Sequence, residues 1–392
     1  MTNVSKTIKF KKIKALSLFA NIGVAEAYLG NIGVDVVLAN EIDNKRVDIY
    51  KHIYPKTEII CGDIRKKNII KTLCKKSKKF GIDLIMAAPP CQGMSTAGKQ
   101  DKSDNRNNLI KYAVEIIKDV KPKYVFIENV PMLLLTEIKY KNKNILIPKY
   151  LEAELLSEYH FEKNIINMAD YGIPQTRERA IFLLTRKDIN PIWIFPPKEK
   201  TVLTLFDAIG HLPQLDPLIY DIGYAELLKI FPKYEKKQAI AKSISRFHTA
   251  PKHIYRQVIS MMHTPTGQTA FNNKDEYKPR KNDHSLVRGF KNTYKRQNWD
   301  MPAYTITMYN RTIGSQNNVH PGRYTGRDKK GDPLYSDPRV LTIYELMIVM
   351  SLPNNWNLPD DLSESFARSL IGEGIPPLFV KKLIKQIIPK DK

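Results

Sequence analysis

Ala87-Ala88-Pro89-Pro90-Cys91-Gln92-Gly93 closes an apolar run that begins at Asp83. The run reads as a strand, and two prolines stop it, because each fixes φ and removes a backbone donor. Cys91 then stands just past the carboxyl end of that strand. Gly93, Ser95, Gly98 and a polar run to Asn108 follow. A rigidly held thiol beside a polar loop suits a nucleophile and its lid. A lone cysteine also reads as a small buried hydrophobe, and this stretch alone leaves both readings open.

The same rhythm extends in both directions. Upstream, residues 15–20 and 34–39 read as strands, with helices beginning at 24–29 and covering 44–54. Downstream come a helix at 109–120, a strand at 124–127, a helix at 151–159 and strands near 161–168 and 180–184. Strands alternating with helices predict an α/β fold: a parallel, Rossmann-like sheet covered on both faces. Such sheets bind ligands at the carboxyl ends of their strands, which is where Cys91 falls.

Composition narrows the partners. The 392 residues carry 63 Lys+Arg against 40 Asp+Glu, a formal charge of +23. That excess favours polyanions, nucleic acid first, although a lysine-biased composition gives the same number. No apolar run reaches the roughly 18 residues of a membrane span. Lys11, Lys12 and Lys14 before 15–20 imitate a signal peptide, but Asn21 and Glu26 interrupt the run, so it reads as a buried first strand. The cysteines, Cys61, Cys74 and Cys91, form no Cys-x-x-Cys pair and have no His cluster, which argues against a metal site and fits a reducing cytoplasm.

From about Pro191 to Asn298 the pattern reads as irregular. Within it, 274–296 holds eight Lys/Arg against three Asp/Glu, with Phe271, Tyr277, Phe290, Tyr294 and Trp299 in or beside it. Cations interleaved with aromatics suit phosphate binding and base stacking, with Lys291, Lys295 and Arg296 as the expected phosphate binders. A solvated loop with structural aromatics is the other reading.

Two further elements share the expected sheet edge with Cys91. Tyr124-Val125-Phe126-Ile127-Glu128-Asn129-Val130 is an apolar strand ending in a carboxylate. Gln175-Thr176-Arg177-Glu178-Arg179 enters the strand at 180–184, and in an extended chain Gln175, Arg177 and Arg179 share a face. Two guanidiniums on one face call for an acidic partner or a ligand oxygen; an edge strand pairing with surface carboxylates is the plainer account.

A Pro-Cys-Gln thiol, a Glu-Asn-Val carboxylate and a Gln-x-Arg-x-Arg pair, in that order on such a sheet, resemble the DNA (cytosine-5) methyltransferase family, of the bacterial restriction-modification type. Trp299-Asp300-Met301-Pro302-Ala303-Tyr304-Thr305-Ile306-Thr307, Val319-His320-Pro321 and Arg339-Val340-Leu341-Thr342-Ile343-Tyr344-Glu345 look like its later blocks. Ile371-Gly372-Glu373-Gly374-Ile375-Pro376-Pro377 looks like its final motif. Matching blocks span roughly residues 15 to 377, with a variable region between.

The resemblance implies S-adenosyl-L-methionine as cofactor and no metal. It assigns the cofactor to Phe19, Ile22, Gly23, Glu41, Ile42, Asp63, Ile64, Pro89 and Leu109, with Glu41 for ribose hydroxyls and Asp63 for the adenine amino group. Ser17, Asn21 and Val24 depart from the family's Asp and glycine-rich turn, and Glu373-Gly374 replaces its usual Asn-Ser or Asn-Ala. The resemblance also implies base flipping, with Cys91 adding to C6 of an extruded cytosine. Glu128 would bond N3 and the amine. Arg179, with Arg177 behind it, would bind O2 or hold Glu128.

The expected organisation is a catalytic domain over 1–188, a target-recognition domain over 189–338 and a C-terminal segment, 339–392, completing the first. The expected partner is double-stranded DNA, acted on by a cytoplasmic, nucleoid-associated bacterial monomer, with a cognate restriction endonuclease acting separately. A tRNA cytosine-5 methyltransferase and an inactive nucleic-acid-binding homologue are the alternatives. The variable region of about 110 residues favours DNA, and intact Cys91, Glu128, Arg177 and Arg179 favour an enzyme.

Overall fold

The computed structural model describes residues 12–90 and 105–388. These fall into two compact units. One comprises residues 12–90, 105–166, Glu178–Pro196 and 380–388; the other comprises Asn167–Arg177 and Pro197–Phe379.

The first unit is built on a seven-stranded sheet. Its strands are β1 (Ile13–Leu18), β2 (Val34–Glu41), β3 (Glu58–Cys61), β4 (Leu84–Ala87), β5 (Tyr124–Asn129), β6 (Tyr159–Asn167) and β7 (Glu178–Arg186). They are ordered β3-β2-β1-β4-β5-β7-β6. The neighbouring pairs from β3 to β5 are parallel, and β7 runs antiparallel to β5. β4 and β5 are buried at every residue, as strands covered on both faces must be.

The register fixes where the edge lies. Ile60, Asn40, Leu18, Ala87, Ile127 and Phe182 form one row across six strands. One residue past that row come Cys61, Glu41, Phe19, Ala88 and Glu128. The sheet therefore gathers the expected cofactor and base-binding positions along a single carboxyl edge.

Helix α1 (Asn44–Ile53) starts where the Asp43 side chain accepts from Arg46 N. Helix α2 (Lys67–Phe80) buries Ile70, Leu73, Cys74 and Ser77, one stripe at i, i+3, i+4, i+7, and stops at Gly81 with φ +68°. Helix α3 (Leu109–Val120) buries Ile110, Ala113, Val114 and Ile117 in the same way. The apolar members of these stripes join Leu16, Leu18, Ile85, Ala87, Val125 and Ile127 in one core cluster. A hairpin (Glu137–Tyr140 with Lys143–Leu146) and helix α4 (Ile147–Leu155) connect β5 to β6.

Two expectations change here. The helix expected from 24–29 is instead a chain of tight turns, with Glu26 N bonding Gly23 O, Ala27 N bonding Val24 O and Leu29 N bonding Glu26 O. Left-handed backbone at Phe19, Asn21 and Gly23 sets this path, leaving no helical entry after β1. The stretch read as irregular, 191–298, contains helices at Leu205–Ile209, Tyr224–Ile230, Tyr234–Ile244 and Tyr255–Met262. Each is short, so its apolar period repeats too few times to stand out.

The second unit is organised around buried guanidiniums. Arg177, Arg296, Arg339 and Arg368 are each at most 1% exposed. Arg339 bonds Asp337 at 2.9 Å and Glu345 at 2.7 Å, and Glu345 closes a capping box with Thr342. Arg296, expected to bind phosphate, donates to the carbonyls of His320, Met261 and Asp337. It is fully enclosed and cannot reach a phosphate in solvent. Its neighbour Gly322, at φ +70°, has no room for a side chain because the guanidinium occupies that space.

Two imidazoles lie in the same interior. Burial pushes His320 down to about 4 and His253 down to about 3. On unfolding each returns to an ordinary value near 6.5 and takes up a proton that the folded unit refuses. Glu345 acts in the same direction at lower pH: burial opposes its ionisation, but Arg339 and His320 outweigh that and hold it at about 2. All three groups therefore withdraw stability as pH falls, the imidazoles below about 6.5 and the carboxylate below about 4.5. Thermal unfolding should show a Tm that declines steadily from pH 7 to pH 5, and His320→Asn should flatten that decline. A Tm independent of pH across this window would contradict the assignment.

Candidate active site

Of the catalytic candidates, Glu128 and Arg179 meet at the end of β5. Ala87 pairs with Ile127, so Glu128 lies one residue beyond that pair, level with Ala88. On its other side β7 sets Ile181 opposite Glu128. This brings Arg179 Nε to 2.7 Å from Glu128 Oε1, with both side chains 12% exposed. Arg179 also donates to its neighbour's carbonyl, Glu178 O, at 2.7 Å, which fixes the guanidinium in place. One oxygen of the Glu128 carboxyl group is thereby engaged by a permanent cation.

Asn129, the next residue, joins the site without having been expected there. Its Nδ2 donates to Pro89 O at 2.9 Å and its Oδ1 accepts from Val130 N at 2.9 Å. Asn129 thus clamps the carbonyl two positions before Cys91. The signal is present in the Glu128-Asn129-Val130 triplet, since a buried amide beside a sheet-edge carboxylate must find partners. Cys91 itself lies outside the described residues.

The other two cysteines differ in kind. Cys74 sits inside α2, where burial and then Asp119 push its thiol up to about 12. Cys61, at the end of β3, is exposed and donates to Asn44 Oδ1 at 2.9 Å. A thiol kept protonated by burial is a poor nucleophile.

The cofactor candidates lie along the same edge. Glu41 is buried, and its carboxylate accepts from Asn21 N at 2.9 Å, Ile42 N at 2.8 Å and Asp43 N at 3.1 Å. Three of roughly four acceptor sites are then filled, and one remains for a hydroxyl. Ile42, beside it, is 59% exposed. Gly23, at φ +80°, packs against Tyr54 and Glu26 with no space for a Cβ, and Tyr54 Oη donates to Gly23 O at 2.5 Å. Burial pushes the Glu26 carboxyl up to about 8, against the pull of the Ser17 and Tyr50 hydroxyls, so it is neutral at pH 7.

Phe19, Pro89 and Leu109 are half-buried or buried apolar groups, and Ile22 and Ile64 are buried. Asp63 is taken: Arg65 grips it through Nε and Nη2 at 2.7 to 3.0 Å and lowers its pKa. The turn, Glu41 and Ile42 together fit an adenosine group, while Asp63 must share its carboxylate to join them.

The Gln-x-Arg-x-Arg run is not one extended segment. Gln175–Thr176 pairs in parallel with Ala303–Tyr304, and Glu178–Arg186 is β7. Gln175 is fully buried, accepting from Ile306 N at 3.0 Å. Arg177 donates to Ile306 O at 2.7 Å and Gly372 O at 3.0 Å. Those partners belong to the block 299–307 and the motif 371–377, so three separate motifs meet inside the second unit. Arg177 and Arg179 thus hold different partners, because the strand pairing changes between them. Among the described residues no group of three His, Cys, Asp or Glu side chains could hold a metal, and no helix is long and apolar enough to cross a membrane.

Comparison with known proteins agrees with this geometry. Residues 13–389 match the family described as C-5 cytosine-specific DNA methylase. The chain is 42% identical over 382 residues to the Type II methyltransferase M1.HgaI of Avibacterium volantium, covering 96% of this chain and 98% of that one. It is 24% identical over 380 residues to the Type II methyltransferase M1.HphI of Haemophilus parahaemolyticus, covering 95% and 86%. Among solved structures, a prophage-encoded E. coli protein described as a DNA modification methyltransferase superposes with a TM-score of 0.61 at 19% identity, covering 96% and 98%. The S. pombe Dnmt2 methyltransferase gives 0.55 at 17%, covering 95% and 98%, and both share the fold. With the match running the length of the chain, the protein belongs to the C-5 cytosine-specific DNA methylases and transfers a methyl group from S-adenosylmethionine to cytosine in DNA.

Proposed function

We propose that the methyl transfer proceeds through a covalent bond between Cys91 and C6 of a cytosine turned out of the duplex, and that the enzyme is the modifying partner of a Type II restriction-modification system. The observation that carries the covalent reading is the Asn129 bond to Pro89 O beside the Glu128–Arg179 pair. It ties the approach to Cys91 to the strand that bears the carboxylate. Cys74, its thiol held protonated, is a poor candidate for the nucleophile.

In this account the Cys91 thiolate adds to C6 and raises electron density at C5. Glu128 binds N3 and the exocyclic amine, where charge develops, and Arg179 keeps Glu128 aimed. S-adenosylmethionine, when bound, supplies an electrophilic methyl group on a cationic sulfur. Glu41, Ile42 and the turn at 19–23 would hold it. Loss of the C5 proton and elimination of Cys91 complete the cycle. Arg177 is a positioning residue, fixing the carbonyls of Ile306 and Gly372.

Target choice falls to the segment 189–338, with 1–188 and 339–392 forming the catalytic part. The resemblance to M1.HgaI supports the restriction-modification role, with a cognate endonuclease acting separately on the same site. The charge of +23 supports work on nucleoid DNA, and we read the enzyme as a cytoplasmic monomer. Bisulfite sequencing of a host expressing the protein reads out both activity and target site, and a host genome left unmethylated would count against the enzyme acting on duplex DNA.

Cys91→Ala should abolish transfer of labelled methyl groups to DNA while binding S-adenosylmethionine as tightly as the wild type. Measurable turnover by this variant would rule out the covalent route. Glu128→Gln should lower the single-turnover rate by about 10²–10³-fold, the usual cost of one transition-state hydrogen-bonding group, and change DNA affinity far less. Equal losses in rate and in affinity would reduce Glu128 to a binding group.

A further inference from the structure

The second unit carries an exposed aromatic side chain on a backbone that is held at every turn. Residues 279–287 fold back on themselves, with Lys281 N donating to Ser285 O at 2.8 Å and Val287 N to Pro279 O at 2.9 Å. Arg280 bridges to Leu286 in this arm, and its guanidinium bonds Asp275 at 2.7 Å. The chain then makes a second turn. Thr293 donates to Phe290 O twice, from N at 2.9 Å and from Oγ1 at 2.8 Å. Asn317 N donates to Asn292 O at 2.8 Å from a distant part of the sequence.

Gly289 permits this turn. A Cβ there would lie 2.6 Å from the Phe271 ring and 2.7 Å from Thr293 Oγ1. Phe271 in turn packs edge-on against buried Tyr294, with ring centroids 5.8 Å apart, at the margin of the core formed by Met261, Ala270, Ile313, Val319 and Val340. The base of the turn is therefore part of the core, and its tip is not.

Phe290 is 78% exposed, the most exposed of the large apolar side chains among the described residues. Single exposed phenylalanines are ordinary, but a loop free to move would turn such a ring inward. Here the fixed backbone keeps it out. Arg288 and Lys291 flank it in the chain and are exposed, as is Lys281 in the preceding arm. Lys295, by contrast, is drawn back onto Tyr304, donating to its Oη at 3.1 Å. An apolar ring flanked by exposed cations matches one chemistry: a polyanion whose phosphates lie beside flat, stackable rings.

We propose that Phe290 is an aromatic contact to the DNA substrate, stacking on or wedging between bases while Lys281, Arg288 and Lys291 take the flanking phosphates. This rests on the reading of 189–338 as the target-choosing segment. Stacking displaces no counterions, so Phe290 and its cations should leave different signatures in a salt series.

The probe is a fluorescently labelled duplex carrying the site methylated in the expressing host, titrated at several salt concentrations with the full-length protein. Phe290→Ala should weaken binding about tenfold, within the range for removing one stacked base, and leave the salt slope unchanged. Arg288→Ala with Lys291→Ala should lower the slope by about 1.8, or roughly 0.9 for each phosphate left unneutralised. All variants should keep the circular-dichroism spectrum and Tm of the wild type, which confirms their fold. Phe290→Trp should retain affinity and show tryptophan quenching on DNA addition beyond that of the wild type. If Phe290→Ala binds within twofold of wild type, or Phe290→Trp shows no added quenching, the inference is overturned. If in that case the double cation variant still lowers the slope, the segment remains a DNA-binding one. If neither affinity nor slope moves in any variant, the reading of the segment falls as well.

Discussion

The contact between Arg179 Nε and Glu128 Oε1, 2.7 Å long and nearly buried, depends on one topological fact: β7 enters the sheet antiparallel to β5. A parallel strand would present its start at the opposite edge. Running backwards, β7 begins where β5 ends, so its first residues can supply a cation to the carboxylate at the tip of β5. The pair is costly to assemble, because both charges leave water, and removing one partner strands the other. The Asn129 bond to Pro89 O extends the same arrangement to the end of β4. The ends of β4, β5 and β7 are thereby tied to one another.

The second unit uses charge differently. Arg177 and Arg296 are enclosed and turn their donors to main-chain carbonyls, whereas Arg339 forms an ion-pair network with Asp337 and Glu345. A guanidinium can satisfy several carbonyls at once in a fixed plane, which lysine cannot. Short helices and loops leave many carbonyls without intrahelical partners, and these arginines supply the missing donors. In this unit Gln175 and Arg177 join separated segments, through Ile306 and Gly372.

Much of this is legible in the sequence where the pattern is long or the chemistry local. β2, α1 and α3 follow from the alternation of short apolar runs with helical patterns. The edge position of Glu128 follows from the sheet rule alone. Helix α2 escapes such a reading because its lysines mask a clean stripe of four buried residues. β3 is only four residues long and half-exposed, too short for any period to register. Arg296 misleads because composition counts charges without showing which are enclosed: it lies in a strongly basic stretch yet is buried among carbonyls. The split between Arg177 and Arg179 cannot be read locally, since it depends on pairing with Ala303–Tyr304, more than a hundred residues away.

If the ends of β4 and β5 present Cys91 and Glu128 to the same cytosine, a duplex bearing 5-fluorocytosine at the target position will trap the enzyme. Fluorine at C5 cannot leave as a proton does, so the adduct formed after methyl transfer has no route to elimination and should persist. Peptide mapping by mass spectrometry should then find the methylated base bonded to Cys91, and Glu128→Gln should slow the appearance of that adduct. No covalent complex, or one on Cys61 or Cys74, would contradict the account.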